Sequence, residues 1–346
     1  MPTIYDLVTS SDVVAYWTQK NENQQPLLGE TLFPNRRQLG TKLEWVKGAN
    51  NQQVALRLSS YDAKAIRRDR QGIEKYDTEM PFFKESMYID EQMRQNLNNM
   101  IAANNTQVIN QILINIYNDE VSLIDASEIA LERMRMEALT TGTITLSSNG
   151  QSYTYDYGVP AGHKKTVTTA WSTASADIIG DINDYVEAMK AEGVNITRAI
   201  CNSSVAKSFK TNTALKNAIY VFAGGTVNVT TARAIDYIYA ETGVMFYVYD
   251  NVYVNEAGTA VKYVPNDTVV LLPEGDLGYT NLGTTPEESD LMNNLNADVS
   301  IAGDGIAVTT SQIVDPVNVE TKVSMVALPS FEMADKIVIV DTTPGA

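Results

Sequence analysis

The chain has 346 residues, 44% of them hydrophobic, and a formal net charge of −16 at pH 7. This composition is typical of a globular protein, and the acidity argues against a general nucleic-acid binder, which needs clustered cations on its contact face. A single cysteine (Cys201) and a single histidine (His163) exclude an intramolecular disulfide, a multi-cysteine metal site and a histidine cluster.

The start of the chain lacks the basic and apolar segments of a signal peptide. No apolar run approaches the eighteen residues that a membrane span requires. We therefore expect an intracellular, soluble protein that does not cross a membrane.

Residues 1–35 are predicted to form an N-terminal arm. A short helix can begin after Ser10 or Ser11, and Pro26, Gly29 and Pro34 are expected to break regular structure. The scattered aromatic residues indicate that the arm packs against something, either another molecule or its own domain.

Residues 36–76 stand out because they carry ten Lys/Arg and four Asp/Glu, a local charge of +6. They alternate like a two-stranded ribbon: Leu43 and Trp45 share one face of a first run, Gly48–Asn51 forms a turn, and Val54–Leu58 forms a second run. Such a ribbon is marginally stable alone in water, so we expect it to lie on another copy of this acidic chain. The candidate inter-subunit contact residues are Arg57, Lys64, Arg67, Arg68, Arg70 and Lys75.

The C-terminal third is oppositely charged. Residues 250–346 contain fifteen Asp/Glu and three Lys/Arg, a local charge of −12. This acidity is either ordinary solubility charge or a surface complementary to the ribbon that steers subunits together.

Tyr88–Leu139 is the longest stretch with helical periodicity, and Gly142 is a plausible stop. Its asparagine-rich first third can be a separate short helix. A helix of some 30 residues would be about 45 Å long and should brace an elongated subunit. The charged residues Glu128, Glu132, Arg133, Arg135 and Glu137 are expected to occupy faces other than the apolar one.

A hairpin over Gly142–Asp156 and a compact mixed domain from Trp171 are predicted next. Helices are expected to be capped by Ser175, by Ser203 or Ser204, and by Thr230 or Thr231. Strands are predicted at Ala199–Cys201, Val244–Tyr249, Val269–Leu272, Val323–Leu328 and Lys336–Val340, a hairpin at Asn251–Val264, and a polar surface loop at residues 283–305.

No phosphate-loop, Rossmann, nucleophile-elbow or zinc signature is present in the sequence. His163, beside two lysines, is expected to be solvated, and Cys201 to be inert packing in an apolar strand. Glu287 and Glu288 are expected in a solvated acidic turn, and Asp298 and Asp304 lack calcium-loop spacing. We therefore predict no catalytic, cofactor-binding or metal-binding residue.

The order of arm, charged ribbon, long helix, mixed α/β domain and returning strand resembles a tailed-phage major capsid protein with the Hong Kong 97 fold, an α+β fold. Tyr247–Asn255, followed by Val261–Leu271, resembles the phage lambda major capsid protein family more closely. In that family a tyrosine-rich hairpin is likewise followed by Pro, Asp or Asn, Thr and an apolar strand.

This resemblance implies a division of the chain by role. It implies an N-terminal arm at 1–35 and an extended loop at 36–80 that lies across a neighbouring subunit. A peripheral domain with the spine helix is implied at 81–164 and again at 306–346. An axial domain, whose tips meet at the centres of pentamers and hexamers, is implied at 165–305.

The implied function is structural: a subunit of an icosahedral phage head, found in the virion and in the host cytoplasm during assembly, that encloses double-stranded DNA without sequence-specific contact. The implied partners are further copies, scaffolding protein, portal and a decoration protein. Two alternatives remain open: a nanocompartment (encapsulin-like) shell protein of the same fold, and an acidic intracellular hydrolase with a pocket of convergent carboxylates.

Overall fold

The computed structural model describes residues 8–47, 74–89, 91–103, 106–220, 228–292, 298–314 and 317–344. The chain divides into two compact units that both contain helices and strands. Unit 1 comprises Met1–Glu44, Asp77–Arg135 and Tyr279–Ser330, and unit 2 comprises Trp45–Tyr76, Met136–Gly278 and Phe331–Ala346.

Unit 1 is built on a six-stranded sheet in which β16 is the longest strand. Its strands are β1 (Asn35–Arg37), β4 (Phe82–Ile89), β13 (Thr280–Leu282), β14 (Asp298–Ala302), β15 (Ile306–Val314) and β16 (Val317–Pro329). β15 and β4 flank β16 as antiparallel neighbours, so Val323 lies opposite both Val308 and Glu85. β14 pairs with β15, and β13 pairs with the end of β16 and carries β1 in parallel. The predicted strand Val323–Leu328 is therefore the second half of β16.

The helices of unit 1 are α1 (Ser10–Asn21), α2 (Leu28–Leu32), α3 (Glu91–Ala102), α4 (Thr106–Thr141, whose last turns belong to unit 2) and α9 (Pro286–Met292). α4 is the predicted long helix; its 36 residues span about 54 Å. The separate short helix before it is confirmed as α3, whereas the predicted start at Tyr88 is wrong. Tyr88 lies in β4, opposite Glu320, because tertiary pairing with β16 overrides the local pattern.

The N-terminal segment docks on its own unit. Thr9 caps α1, and Ser10 donates two hydrogen bonds of 2.8 Å to the Asp298 carboxylate. The Trp17 indole N–H donates to Asp125 on α4 at 3.0 Å. The N-terminal arm was expected to pack either on another molecule or on its own domain. Its described residues 8–34 pack on their own domain.

Two charged residues of α4 that were predicted to lie away from its apolar face are nevertheless completely buried. Arg135 Nε donates to Thr280 Oγ1 at 2.8 Å, and Arg135 Nη2 donates to Asn35 Oδ1 at 2.6 Å. Glu132 accepts a 2.9 Å bond from the Gly29 N–H and lies 3.6 Å from Arg135 Nη1. A Cβ at Gly29 would collide with the Glu132 carboxylate, so this glycine allows a close approach and does not break α2. The charged face of α4 is buried because α2, β1 and β13 cover it.

The predicted polar loop over 283–305 is wrong in part. It contains the helix α9, whose first turn carries Glu287 and Glu288, and the strand β14. The sequence pattern for β14 is weak because this strand is only five residues long and is positioned by its antiparallel partner β15.

Unit 2 is built on a five-stranded sheet in the order β7-β17-β12-β8-β9. Its strands are β7 (Lys164–Thr166), β8 (Ile196–Cys201), β9 (Met245–Val248), β12 (Thr268–Pro273) and β17 (Val338–Asp341). The helices are α5 (Ile178–Ala191), α6 (Ser203–Thr211), α7 (Thr213–Ile219) and α8 (Thr231–Thr242), and a 3-10 turn spans Ala161–His163. The helices and one face of the sheet share a single apolar core in which Trp171, Phe209 and Phe246 are in contact.

Both hairpins predicted for this part of the chain are confirmed. β5 (Thr143–Ser148) and β6 (Gln151–Asp156) turn at Asn149 and Gly150, whose φ angles are 51° and 76°. β10 (Val252–Val254) and β11 (Ala260–Lys262) form the second hairpin. Two helix caps were predicted wrongly: Asp177 caps α5 and Asn202 caps α6, whereas Thr230 caps α8 as predicted.

Only the first run of the predicted ribbon is confirmed as a strand, and its partner in the structure was not predicted; we call the two strands together the base of the ribbon. β2 (Lys42–Lys47) pairs with β3 (Glu74–Glu79) in a two-stranded sheet. The predicted turn at Gly48–Asn51 and the second run at Val54–Leu58 lie outside the described residues.

Two carboxyls of α4 have strongly raised pKa values. Burial raises the pKa of Glu120 to about 7, although Thr321 donates a 2.8 Å hydrogen bond to one of its oxygens. Burial also raises the pKa of Glu128 to about 7; Arg135 opposes this shift, and Glu30 and Asp304 add to it. The folded state therefore favours the protonated form of both side chains.

We expect the free energy of unfolding of the subunit to fall as the pH rises from about 4.5 to 7, because these pKa values lie above those of the unfolded chain. The contribution is complete below pH 4.5 and is lost above pH 7. For Glu120 alone it amounts to roughly 3 kcal/mol, since each pKa unit corresponds to about 1.4 kcal/mol. The free energy of unfolding is measured by urea unfolding at several pH values in this window. Its slope against pH should be clearly smaller for Glu120→Gln/Glu128→Gln than for wild type. Equal slopes would show that the two carboxyls titrate normally.

Candidate functional site

One of the six candidate contact residues of the ribbon lies within the described residues, and the other five lie outside them. Lys75 is exposed in β3. Arg57, Lys64, Arg67, Arg68 and Arg70 lie in the segment 48–73, outside the described residues. Their predicted role in contacts between subunits therefore stays a prediction.

The base of the ribbon is held by aromatic side chains of unit 2. Trp45 is buried and stacks on Tyr76 across the ribbon, with ring centroids 5.2 Å apart. Trp45 also contacts the buried Tyr157 at 5.8 Å, and Tyr157 contacts Phe331 at 5.9 Å. Because aromatic contacts of this kind add to the stabilisation from buried area, the base has a fixed position on unit 2.

The positive charge of the ribbon is concentrated beyond this base. The two strands β2 and β3 contain three lysines and four acidic residues. The segment 48–73 contains five Lys/Arg and two Asp/Glu. The sequence between the anchored strands thus carries the surplus of cations.

His163 does not have the solvated position that its sequence neighbours indicate. It is 6% exposed, and its Nε2 lies 3.0 Å from Glu192 Oε2. The 3-10 turn Ala161–His163 leads directly into β7 and places the ring beside the end of α5, where Glu192 is the C-cap. The prediction failed because this contact joins residues 29 positions apart.

Cys201 has the inert position predicted for it. It lies in β8, is completely buried, and is unpaired. Burial raises the pKa of its thiol to about 12. A thiol in this state is not a nucleophile at neutral pH.

Glu287 and Glu288 do not lie in a solvated turn. Glu287 accepts hydrogen bonds of 2.8 Å from Ser324 Oγ and from Lys322 Nζ. Lys84, opposite Ser324 in the sheet, approaches the same carboxylate at 3.8 Å. Burial opposes ionisation, yet the bonds from Lys322 and Ser324 lower the pKa of Glu287. Glu288 pairs with Arg37, so both carboxylates fasten α9 onto unit 1 and neither is poised for acid–base chemistry.

Asp298 is likewise a structural anchor. Ser10 and Thr310 donate hydrogen bonds to it, and although burial opposes the shift, these bonds lower its pKa. Asp304 contributes its main-chain carbonyl, which accepts a 2.8 Å bond from Arg37. Among the described residues, no group of three or more His, Cys, Asp or Glu side chains is arranged to hold a metal ion.

A search of the described helices finds none with the length and apolarity needed to cross a bilayer.

Surfaces remain as the sites of interest, and sequence reasoning overlooked two of them in unit 2. The first is apolar: Tyr247, Val248, Val252 and Val254 are between 41% and 65% exposed around the edge strand β9 and the hairpin β10–β11. The second is charged. Residues 193–235 contain five Lys/Arg and no Asp/Glu, a signal that was available from the sequence.

The tyrosines of the stretch Tyr247–Asn255 are divided between internal packing and exposed surface. Tyr249 stacks on Tyr263 at 6.0 Å, and Tyr253 lies 5.0 Å from the same ring. Tyr247 points out from β9 and is 51% exposed. The stretch therefore supplies both internal packing and open surface.

Comparison with known proteins gives a family. The sequence model described as phage major capsid protein E matches residues 9–342, nearly the whole chain. A search of curated protein sequences finds no match.

Solved structures give the fold. The putative capsid protein of a prophage of E. coli CFT073 is similar with a TM-score of 0.60 and 16% identity, over 96% of this chain and 99% of that one. A phage-related protein from Bordetella bronchiseptica RB50 is similar with a TM-score of 0.58 and 13% identity, over 98% and 99%. The capsid protein of cyanophage A-1(L) is similar with a TM-score of 0.51 and 13% identity, over 92% of both chains.

These likenesses confirm the predicted Hong Kong 97-type fold. The family is structural and not enzymatic, which removes the hydrolase alternative. The chain belongs to the phage major capsid protein E family, and it is a structural subunit of a phage head shell.

Proposed function

We propose that this chain assembles into pentamers and hexamers that close into an icosahedral head around double-stranded DNA. The observation that carries the proposal is the family match over residues 9–342, which identifies a shell protein that associates with itself. The same match favours a phage head over a cellular nanocompartment.

The two units suit different roles in such a shell. Unit 1 holds most of the long helix α4 and the six-stranded sheet, so we assign it the peripheral role. Unit 2 holds the mixed sheet and its helices, so we assign it the axial role near the centre of each ring. This assignment differs from the sequence prediction: residues 136–164 and 331–346 are given the axial role, and residues 279–305 the peripheral role.

The ribbon is proposed to reach a neighbouring subunit. Its base is fixed by Trp45 and Tyr76, and the cations of segment 48–73 lie beyond this base in the sequence. The C-terminal third of every copy carries a local charge of −12. Each exposed ion pair contributes only about 0–1 kcal/mol, but a closed shell repeats every contact many times.

Further partners follow from the same role. We propose a scaffolding protein and a portal during assembly in the host cytoplasm, and a decoration protein on the finished head. The packaged DNA would be enclosed without sequence-specific contact, since a chain of net charge −16 has little general affinity for a polyanion.

Electron microscopy of the purified, overexpressed protein tests the proposed function. We expect closed shells of uniform diameter with rings of five and six subunits, because copies of one chain offer identical contacts. A protein that stays monomeric at all concentrations, or forms only open filaments, would contradict it.

The ribbon's role is tested by the triple substitution Arg67→Glu/Arg68→Glu/Arg70→Glu. We expect a folded subunit, judged by circular dichroism, that no longer forms shells, because the substituted residues repel the acidic neighbour. Arg67→Lys/Arg68→Lys/Arg70→Lys is the matched control, which keeps the charge and should form shells normally. Normal shells from the glutamate variant would refute this role.

A further inference from the structure

The outer surface of unit 2 is divided by charge. One side carries two exposed carboxylates on α5; this acidic face consists of Asp184 and Glu187. The other side carries three lysines on α6 and α7; this basic face consists of Lys207, Lys210 and Lys216. The basic face belongs to the 43 residues from 193 to 235 that contain no acidic residue at all.

Both faces point away from the core. α5 buries Ile178, Ile182, Val186 and Met189, and at 100° per residue the acidic face falls on its opposite side. α6 buries Val205, Ala206 and Phe209, which leaves Lys207 and Lys210 exposed.

One helix contacts the helices that carry both faces. α8 packs against α5 and also against α6 and α7. All four helices belong to the same apolar core, so both faces belong to one compact body. The two faces lie on different helices of this body, so a single copy can present both of them to its neighbours.

Neither face is neutralised within the chain. Lys207, Lys210 and Lys216 make no ion pair with any residue that the structure describes, and the same holds for Asp184 and Glu187. Some lysines elsewhere are paired with carboxylates, as Lys322 is with Glu287 and Lys262 with Asp250. Three neighbouring cations without counter-charges are unusual in a protein with 16 more acidic than basic residues.

We propose that the basic face of one copy docks on the acidic face of the next copy, head to tail, within the rings of the shell. This inference rests on the proposed self-assembly and names the surfaces that join unit 2 of neighbouring copies. A heterologous contact between two different faces generates a ring when its rotation closes. A second copy accounts for both faces, whereas bound DNA would account for the lysines alone.

Charge reversal tests the contact. We expect Lys207→Glu/Lys210→Glu to stop shell formation or to raise the threshold protein concentration by about tenfold or more. Asp184→Lys/Glu187→Lys should have the same effect, because both variants place like charges opposite each other. The four substitutions together restore opposite charges at every contact and keep the net charge at −16, so this chain should form shells again.

Two further variants that change the net charge by the same amount control for effects of folding and net charge. Lys207→Gln/Lys210→Gln changes the net charge by two and should weaken assembly. Asn23→Asp/Gln25→Glu changes it by the same amount at an exposed turn of unit 1 and should assemble like wild type.

Two results would overturn the proposal. One is normal shell formation by both reversal variants while the wild type also forms shells; this would leave the proposed function intact. The other is that Lys207→Glu/Lys210→Glu forms normal shells, but these shells retain less linear duplex DNA than wild-type shells do. That result would assign the basic face to DNA. If the wild type itself forms no shells, the proposed function fails together with this contact.

Discussion

Electrostatic repulsion between copies is the constraint on which the assembly of this protein depends. A shell brings many chains of net charge −16 into contact, so contacts form most favourably where a copy offers positive charge. Positive charge is concentrated in two stretches, residues 48–73 and 193–235, which together hold ten of the 26 Lys/Arg and two of the 42 Asp/Glu. The rest of the chain is strongly acidic. We therefore propose that these two stretches provide surfaces that meet another copy.

The described residues fix the strands that flank the first stretch and the helices that carry lysines of the second. Trp45, Tyr76 and Tyr157 fix the strands that lead into residues 48–73, and the core around Phe209 fixes the lysines of α6. In unit 1, the buried pair Glu132 and Arg135 ties α4 to α2, β1 and β13. Removal of one partner of such a buried pair usually costs about 3–5 kcal/mol, because the other charge is left uncompensated. The hydrogen bonds of this pair to Gly29, Asn35 and Thr280 join α4 to the N-terminal segment and to β13.

Much of the fold could be predicted from the sequence where periodicity or turn chemistry is strong. The apolar repeat of α4, the Asn149–Gly150 hairpin and the Thr230 cap are local signals, and each is confirmed. The failures share one physical cause, namely contacts between residues far apart in sequence. Tyr88 joins a strand because β16 lies beside it, and Glu132 is buried because the N-terminal segment covers it.

The candidate site was predictable to a smaller extent. The ribbon's charge is visible in the sequence, but its proposed contact partner is another copy, and no local pattern specifies which carboxylates would face it. His163 and Glu287 were assigned to solvent because their partners, Glu192 and Lys322, are 29 and 35 residues away. The acidic face of unit 2 becomes apparent only when the apolar side of α5 is seen in the core, whereas the acid-free stretch 193–235 is visible in the sequence.

The central claim is that the positive segments of each copy are neutralised by a neighbouring copy. The most direct measurement is a cryo-electron microscopy map of the assembled shell at a resolution that shows side chains. We expect residues 48–73 to lie across an adjacent subunit with Arg67, Arg68 or Arg70 within 4 Å of its carboxylates, the ordinary distance limit of an ion pair. A map in which this segment contacts only its own chain would contradict the claim.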